Sequence, residues 1–152
     1  MQRAVLPALL VLGLCSGANG AEITNMLAIA GSCQSLIVDG DDVSGGCQDD
    51  LLQVTYDIGR VGLYAFVEGR IIAFSGQSDE IIDDEIHHYL DQVLVGRDAE
   101  NIETVPVEGT CIYGNPYIGV AKFTCTAESP DGRLFELAFT TDGNPPVDQM
   151  AD

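Results

Sequence analysis

The sequence predicts a mainly β fold: a small antiparallel β sandwich or barrel with two local disulfides and room for one short helix. Three observations predict it. Apolar and polar residues alternate in short runs along most of the chain, the period of a half-buried strand. Glycine, proline and aspartate clusters punctuate those runs as turns. Four cysteines, Cys33, Cys47, Cys111 and Cys125, follow an N-terminal segment of export type, and an even cysteine count in that setting implies disulfides. The rival is an α+β fold with the helix packed on one sheet.

The first strand is read at residues 34–39, QSLIVD, followed by turn material at Gly40-Asp41-Asp42 and Ser44-Gly45-Gly46. LLQVTYD over residues 51–57 is the second, broken by Ile58-Gly59-Arg60. VGLYAFV over residues 61–67 is apolar on both faces, as a central or sandwich-core strand is. Glu68-Gly69 makes a two-residue turn into a fourth strand at residues 70–74, completing a meander. Across Ile82, Ile86, Leu90, Val93 and Leu94 the apolar spacing is three or four residues. That spacing predicts a helix around residues 80–92, with a strand over Tyr89–Val95 as the alternative.

Residues 97–104 read as a polar linker, and Val105–Tyr113 as extended, because Pro106 sits poorly in a helix and Val107 and Ile112 favour strands. Ala121, Phe123, Cys125 and Ala127 then alternate with Lys122, Thr124 and Thr126. Ser129-Pro130-Asp131-Gly132 is a strong turn. It leads into a strand in which Phe135, Leu137 and Phe139 share a face. Residues 143–152, GNPPVDQMAD, read as a flexible C-terminal tail.

Residues 1–20 read as a signal peptide: Arg3, an apolar run from Ala4 to Cys15, and small residues at Ala18 and Gly20 before a cut ahead of Ala21. The run is too short to span a bilayer, which takes about 20 residues. Leu12-Gly13-Leu14-Cys15 is a poor lipoprotein signal, because Leu14 is large where a small residue is wanted. The domain expected after cleavage is a single unit over residues 21–142. It pairs Cys33 with Cys47 and Cys111 with Cys125, each bridge closing a loop of about 15 residues and worth about 3 kcal/mol.

The two cysteine pairs share one spacing, and GRVGLYAF at residues 59–66 matches GRLFELAF at residues 132–139 at four positions. A duplication would give two similar β units packed face to face.

Acidic residues number 24 against six basic ones, a net charge of −18. Such a field repels phosphate backbones and so excludes nucleic acid as a partner. The chain lacks a G-x-S-x-G elbow, a phosphate-cradling glycine loop and an H-E-x-x-H motif.

Two acidic clusters are candidate metal sites. On a helix, Asp83 would share a face with His87, and Asp84 with His88, a carboxylate–imidazole set suited to zinc. Asp39, Asp41 and Asp42, with glycine at the bend and Asp49 and Asp50 beyond Cys47, resemble an oxygen-rich calcium loop without EF-hand spacing. Tyr113 and Tyr117 flank Asn115-Pro116 on a loop between β segments, where binding residues often sit.

The functional expectation is an exported, periplasmic or extracellular, non-catalytic binding or interaction domain. It is a monomer acting on a protein or small-molecule partner. The alternative is an acidic calcium- or zinc-binding protein, and the third reading a hydrolytic enzyme.

Overall fold

A computed structural model describes residues 21–98 and 100–151. The segment read as a signal peptide, residues 1–20, lies outside the described residues.

The chain forms an antiparallel barrel of eight strands. They are β1 (Ile23–Val38), β3 (Cys47–Tyr56), β4 (Val61–Val67), β5 (Arg70–Gly76), β7 (Glu85–Gly96), β8 (Ile102–Tyr113), β9 (Lys122–Glu128) and β10 (Leu134–Thr141). Each pairs with the next, and β10 pairs back onto β1 to close the ring. Short strands β2 (Asp41–Asp42) and β11 (Val147–Asp148) pair with β1, and β6 (Ser78–Ile82) pairs with β7. The segment read as a tail therefore carries β11, which lies against Leu27 and Ala28.

Closure, rather than two stacked sheets, resolves the choice between barrel and sandwich. It also replaces the face-to-face duplicate units with one continuous wall. Both cysteine pairs bridge neighbouring strands followed by a third, but they do so differently. Cys111 and Cys125 are direct cross-strand partners with Cα atoms 3.9 Å apart. Cys33 and Cys47 join β1 to β3 beyond the end of their ladder, with Cα atoms 5.9 Å apart.

The interior is filled. Phe74, Phe123, Phe135, Phe139, Leu36, Leu51, Leu63, Ile72 and Leu137 are all essentially inaccessible to water. Eight strands enclose a space just wide enough for side chains, so packing closes the bore. On β9 the alternation is complete, with Phe123, Cys125 and Ala127 inside and Lys122, Thr124, Thr126 and Glu128 in water.

The helix expected around residues 80–92 is instead a hairpin. Asp83 and Asp84 both have positive φ, 51° and 67°, and form the two-residue turn between β6 and β7. Strands with right-handed twist favour such a turn, and aspartate tolerates it better than most residues. The first strand, expected at residues 34–39, begins eleven residues earlier, at Ile23.

β5 runs on into β6 past Gly76. A Cβ there would lie 1.8 Å from the Tyr89 carbonyl oxygen, so only glycine lets the two strands pass so closely. Beyond this point β6 keeps β7 as its partner and leaves β4. The wall opens on that side.

Candidate functional site

The strands run between two ends. The turns after β1, β4, β7 and β9 lie at one end. The β6–β7 turn, the segment 114–121 after β8 and the segment after β10 lie at the other. At this second end the filled bore gives way to a cavity of about 550 Å³, lined by Leu27, Gln53, Ile81, Ile86, Tyr113, Tyr117 and their neighbours Asp84, Asn115, Pro116 and Ile118. Mouths of β barrels are a common place for small-molecule sites.

Ladder register builds the mouth. Ile81, Ile86, Tyr113 and Phe123 are successive cross-strand partners, so they form one row inside the wall. Asp79, His88, Cys111 and Cys125 form the next row inward. Tyr113 is 3% exposed and stacks on Phe123, with ring centroids 4.7 Å apart. Its hydroxyl has no hydrogen-bond partner among the described residues. Burial, with the nearby Asp79 carboxylate second, pushes that hydroxyl well above the ordinary tyrosine range.

His88 is fully buried. Its Nε2 donates to the Val61 carbonyl at 3.0 Å, and its Nδ1 meets the Asp79 carboxylate. The imidazole thereby ties β7 to β4 at the point where β6 leaves β4.

The rim is held by local chemistry. Asn115 Oδ1 accepts from the Tyr117 amide at 2.9 Å and caps the short 3-10 turn Pro116–Ile118. Apolar side chains on and just after this turn stay in water, Tyr117 57% exposed, Ile118 80% and Val120 67%, and on the β6–β7 hairpin Ile81 is 74% exposed. A second depression of about 460 Å³ adjoins, lined by Asp84, Glu85, Ile118, Val120 and Lys122. Among the described residues, Lys122 is the one cation lining either space.

The structure brings together Asp84, Tyr113 and Tyr117 from the sequence candidates. Tyr113 is the last residue of β8 and a core residue, not an exposed loop residue. The helical pairing of Asp83 with His87 and Asp84 with His88 does not form, because in a hairpin the partners are cross-strand. His87 lies opposite Glu80 and His88 opposite Asp79.

The calcium-loop acids do not converge either. Asp39 is bound by Arg133, Asp42 accepts from the Ser44 amide at 3.0 Å, Asp49 accepts from the Cys33 amide at 2.9 Å, and Asp41 and Asp50 stand exposed. Among the described residues, no three His, Cys, Asp or Glu side chains are grouped to hold a metal ion. Asp79, Ile81 and Ile86 were not among the sequence candidates. Their signal was the inward alternation of a hairpin read there as a helix.

An outer groove of about 240 Å³ between Tyr64, Ile71, Ala73, Leu94 and Ile102 accounts for the two-faced apolarity of VGLYAFV. Tyr64 lies over Gly62 there and shares a 2.8 Å hydrogen bond with Tyr56. Among the described residues, no helix is long and apolar enough to cross a membrane. Searches of protein-family models, curated proteins and solved structures return no match to the chain.

Proposed function

We propose that this is an exported, non-catalytic binding domain whose barrel mouth receives a small, largely apolar ligand. One observation carries the reading: an apolar cavity of about 550 Å³ at one end of an otherwise filled barrel, ringed by large apolar side chains left in water. Such exposure costs free energy unless something covers it, and concentrated apolar patches mark interaction sites. The filled bore restricts the ligand to the mouth. Two disulfides and the N-terminal segment support export, since disulfides persist in oxidising compartments.

The test is titration with N-phenyl-1-naphthylamine, a neutral apolar fluorophore that brightens out of water. Saturable one-site binding is expected, and it is weakened by Tyr117→Ala and by Ile81→Ser with the melting temperature unchanged. A linear, non-saturating response overturns the reading. Export is tested separately by the mass of protein recovered from the cell that makes it. The expected chain starts at Ala21 and weighs four hydrogens less than its reduced form; a chain starting at Met1 removes export from the proposal.

A further inference from the structure

We infer that the ligand of this mouth is a cationic amphiphile: an apolar body with an ammonium group held between Asp84 and the Tyr113 hydroxyl. The inference rests on the binding reading above and adds the chemical class.

Two independent observations carry it. The first is charge. The hairpin beside the cavity bears Asp79, Glu80, Asp83, Asp84 and Glu85, and among the described residues Lys122 is the one lysine or arginine lining the cavity or the depression beside it. Glu80 is engaged by the Tyr89 hydroxyl at 2.8 Å and Asp79 by His88, whereas Asp84 lines the cavity itself. An anionic head would meet an uncompensated carboxylate at the entrance. The field of the whole chain, at −18, points the same way and draws cations toward it.

The second observation is Tyr113, which lines the same cavity and is buried, and whose hydroxyl has no partner among the described residues. Buried polar groups in folded proteins are nearly always paired, so an unpaired one on a cavity-lining residue calls for a partner that a ligand can supply. Its oxygen has lone pairs to accept from an N–H donor. Tyr113 lies opposite Ile86, and Asp84 is two residues along from Ile86 on the same hairpin. A carboxylate and a hydroxyl thus border one space with an apolar wall of Leu27, Ile81, Ile86 and Tyr117 behind them. That is the recognition set of an amine with a hydrocarbon body: charge-assisted hydrogen bonds for the head and apolar surface for the rest.

The experiment displaces the bound fluorophore from the full-length protein at pH 7 with three probes of one chain length: decylammonium, decanol and decanoate. Decylammonium is expected to displace at a concentration about tenfold below decanol, with decanoate weakest. Asp84→Asn should abolish the advantage of the amine over the alcohol. Tyr113→Phe should weaken decylammonium without lowering the melting temperature, because it deletes only an unpaired hydroxyl. Asp131→Asn, at the opposite end of the barrel, is the control for overall charge and should change nothing. Equal displacement by amine and alcohol overturns the cationic class and leaves the binding reading standing. Loss of the advantage in Asp131→Asn as much as in Asp84→Asn overturns it too, by assigning it to net charge. Failure of the fluorophore to bind at all defeats the binding reading, and this inference with it.

Discussion

The two ends of the barrel use the same framework and finish differently. Each is tied by a disulfide that closes one loop with a sequence separation of 14. The Cys33–Cys47 loop carries the turn with Asp39; the Cys111–Cys125 loop carries Tyr113, Pro116, Tyr117 and Ile118. At the first end Arg133 holds Asp39 in a two-bond fork. It also reaches Glu103 at 2.8 and 3.1 Å, with its guanidinium 5.8 Å from the centre of the Phe135 ring. The cation closes that end, its charge satisfied and its plane over the last aromatic of the core. Among the described residues, no comparable ion-paired cation lies over the core at the second end. Apolar side chains face water and a buried hydroxyl is left over. The difference teaches where to look for function: an ion-paired cation covers a core aromatic at the first end, and among the described residues the apolar side chains at the second end have no such cover.

The largest effects should come from the aromatic floor beneath each end. Phe135→Ala and Phe123→Ala both remove a fully buried ring, and each should cost about 3–5 kcal/mol in urea denaturation. They should separate on binding. Phe123 carries the stack under Tyr113, so its loss should loosen the mouth and weaken fluorophore binding by the protein that stays folded. Phe135 lies below the clamped end, and its loss should leave that affinity alone. Equal loss of affinity in both would erase the distinction between ends.

The disulfides come next. Replacing either cysteine pair by alanine should cost up to about 3 kcal/mol. Only removal of Cys111–Cys125, which closes the loop that builds the rim, should also weaken binding. Thermal melts alongside fluorophore titrations of both double variants would decide it.

What the sequence made legible follows the same division. The hairpin from Ala121 to Phe139 and the 61–76 hairpin were readable because alternation is uninterrupted and the turns are explicit. The disulfide pairing was readable from spacing. The mouth was not, for a physical reason. On β7 the inward residues are Ile86, His88 and Leu90, and then the register slips between Leu90 and Gln92, so that Val93 points inward next. The bulge turns a spacing of two into three. With a histidine at an inward position, the apolar residues alone fall at 86, 90 and 93, which mimics a helix. The bulged Asp91 is itself occupied, held by Arg60 at 2.7 and 3.0 Å, a partner 31 residues away that no local pattern announces. The start of β1 was missed because Ala28, Ala30, Gly31 and Ser32 have weak strand preference. There ladders on both sides decide the conformation.

The smallest effect tests whether the clamp works by charge. Its bonds to Arg133, foremost, hold the Asp39 and Glu103 carboxyls below their ordinary values, near 3.8 and 4.5. A carboxyl with a depressed folded value stabilises the fold fully above its unfolded value, and the contribution is lost as pH falls through the folded one. Arg133→Met should therefore lower the melting temperature modestly at pH 7, because the pairs are solvent-facing and screened. The gap to the parent should narrow progressively below about pH 4, and also in high salt. Fluorophore binding at the far end should not change at any of these conditions. A gap independent of pH and salt would mean that Arg133 closes its end by covering Phe135 rather than by pairing carboxylates. The two ends would then differ in how much apolar surface their side chains cover, not in how their charges are met.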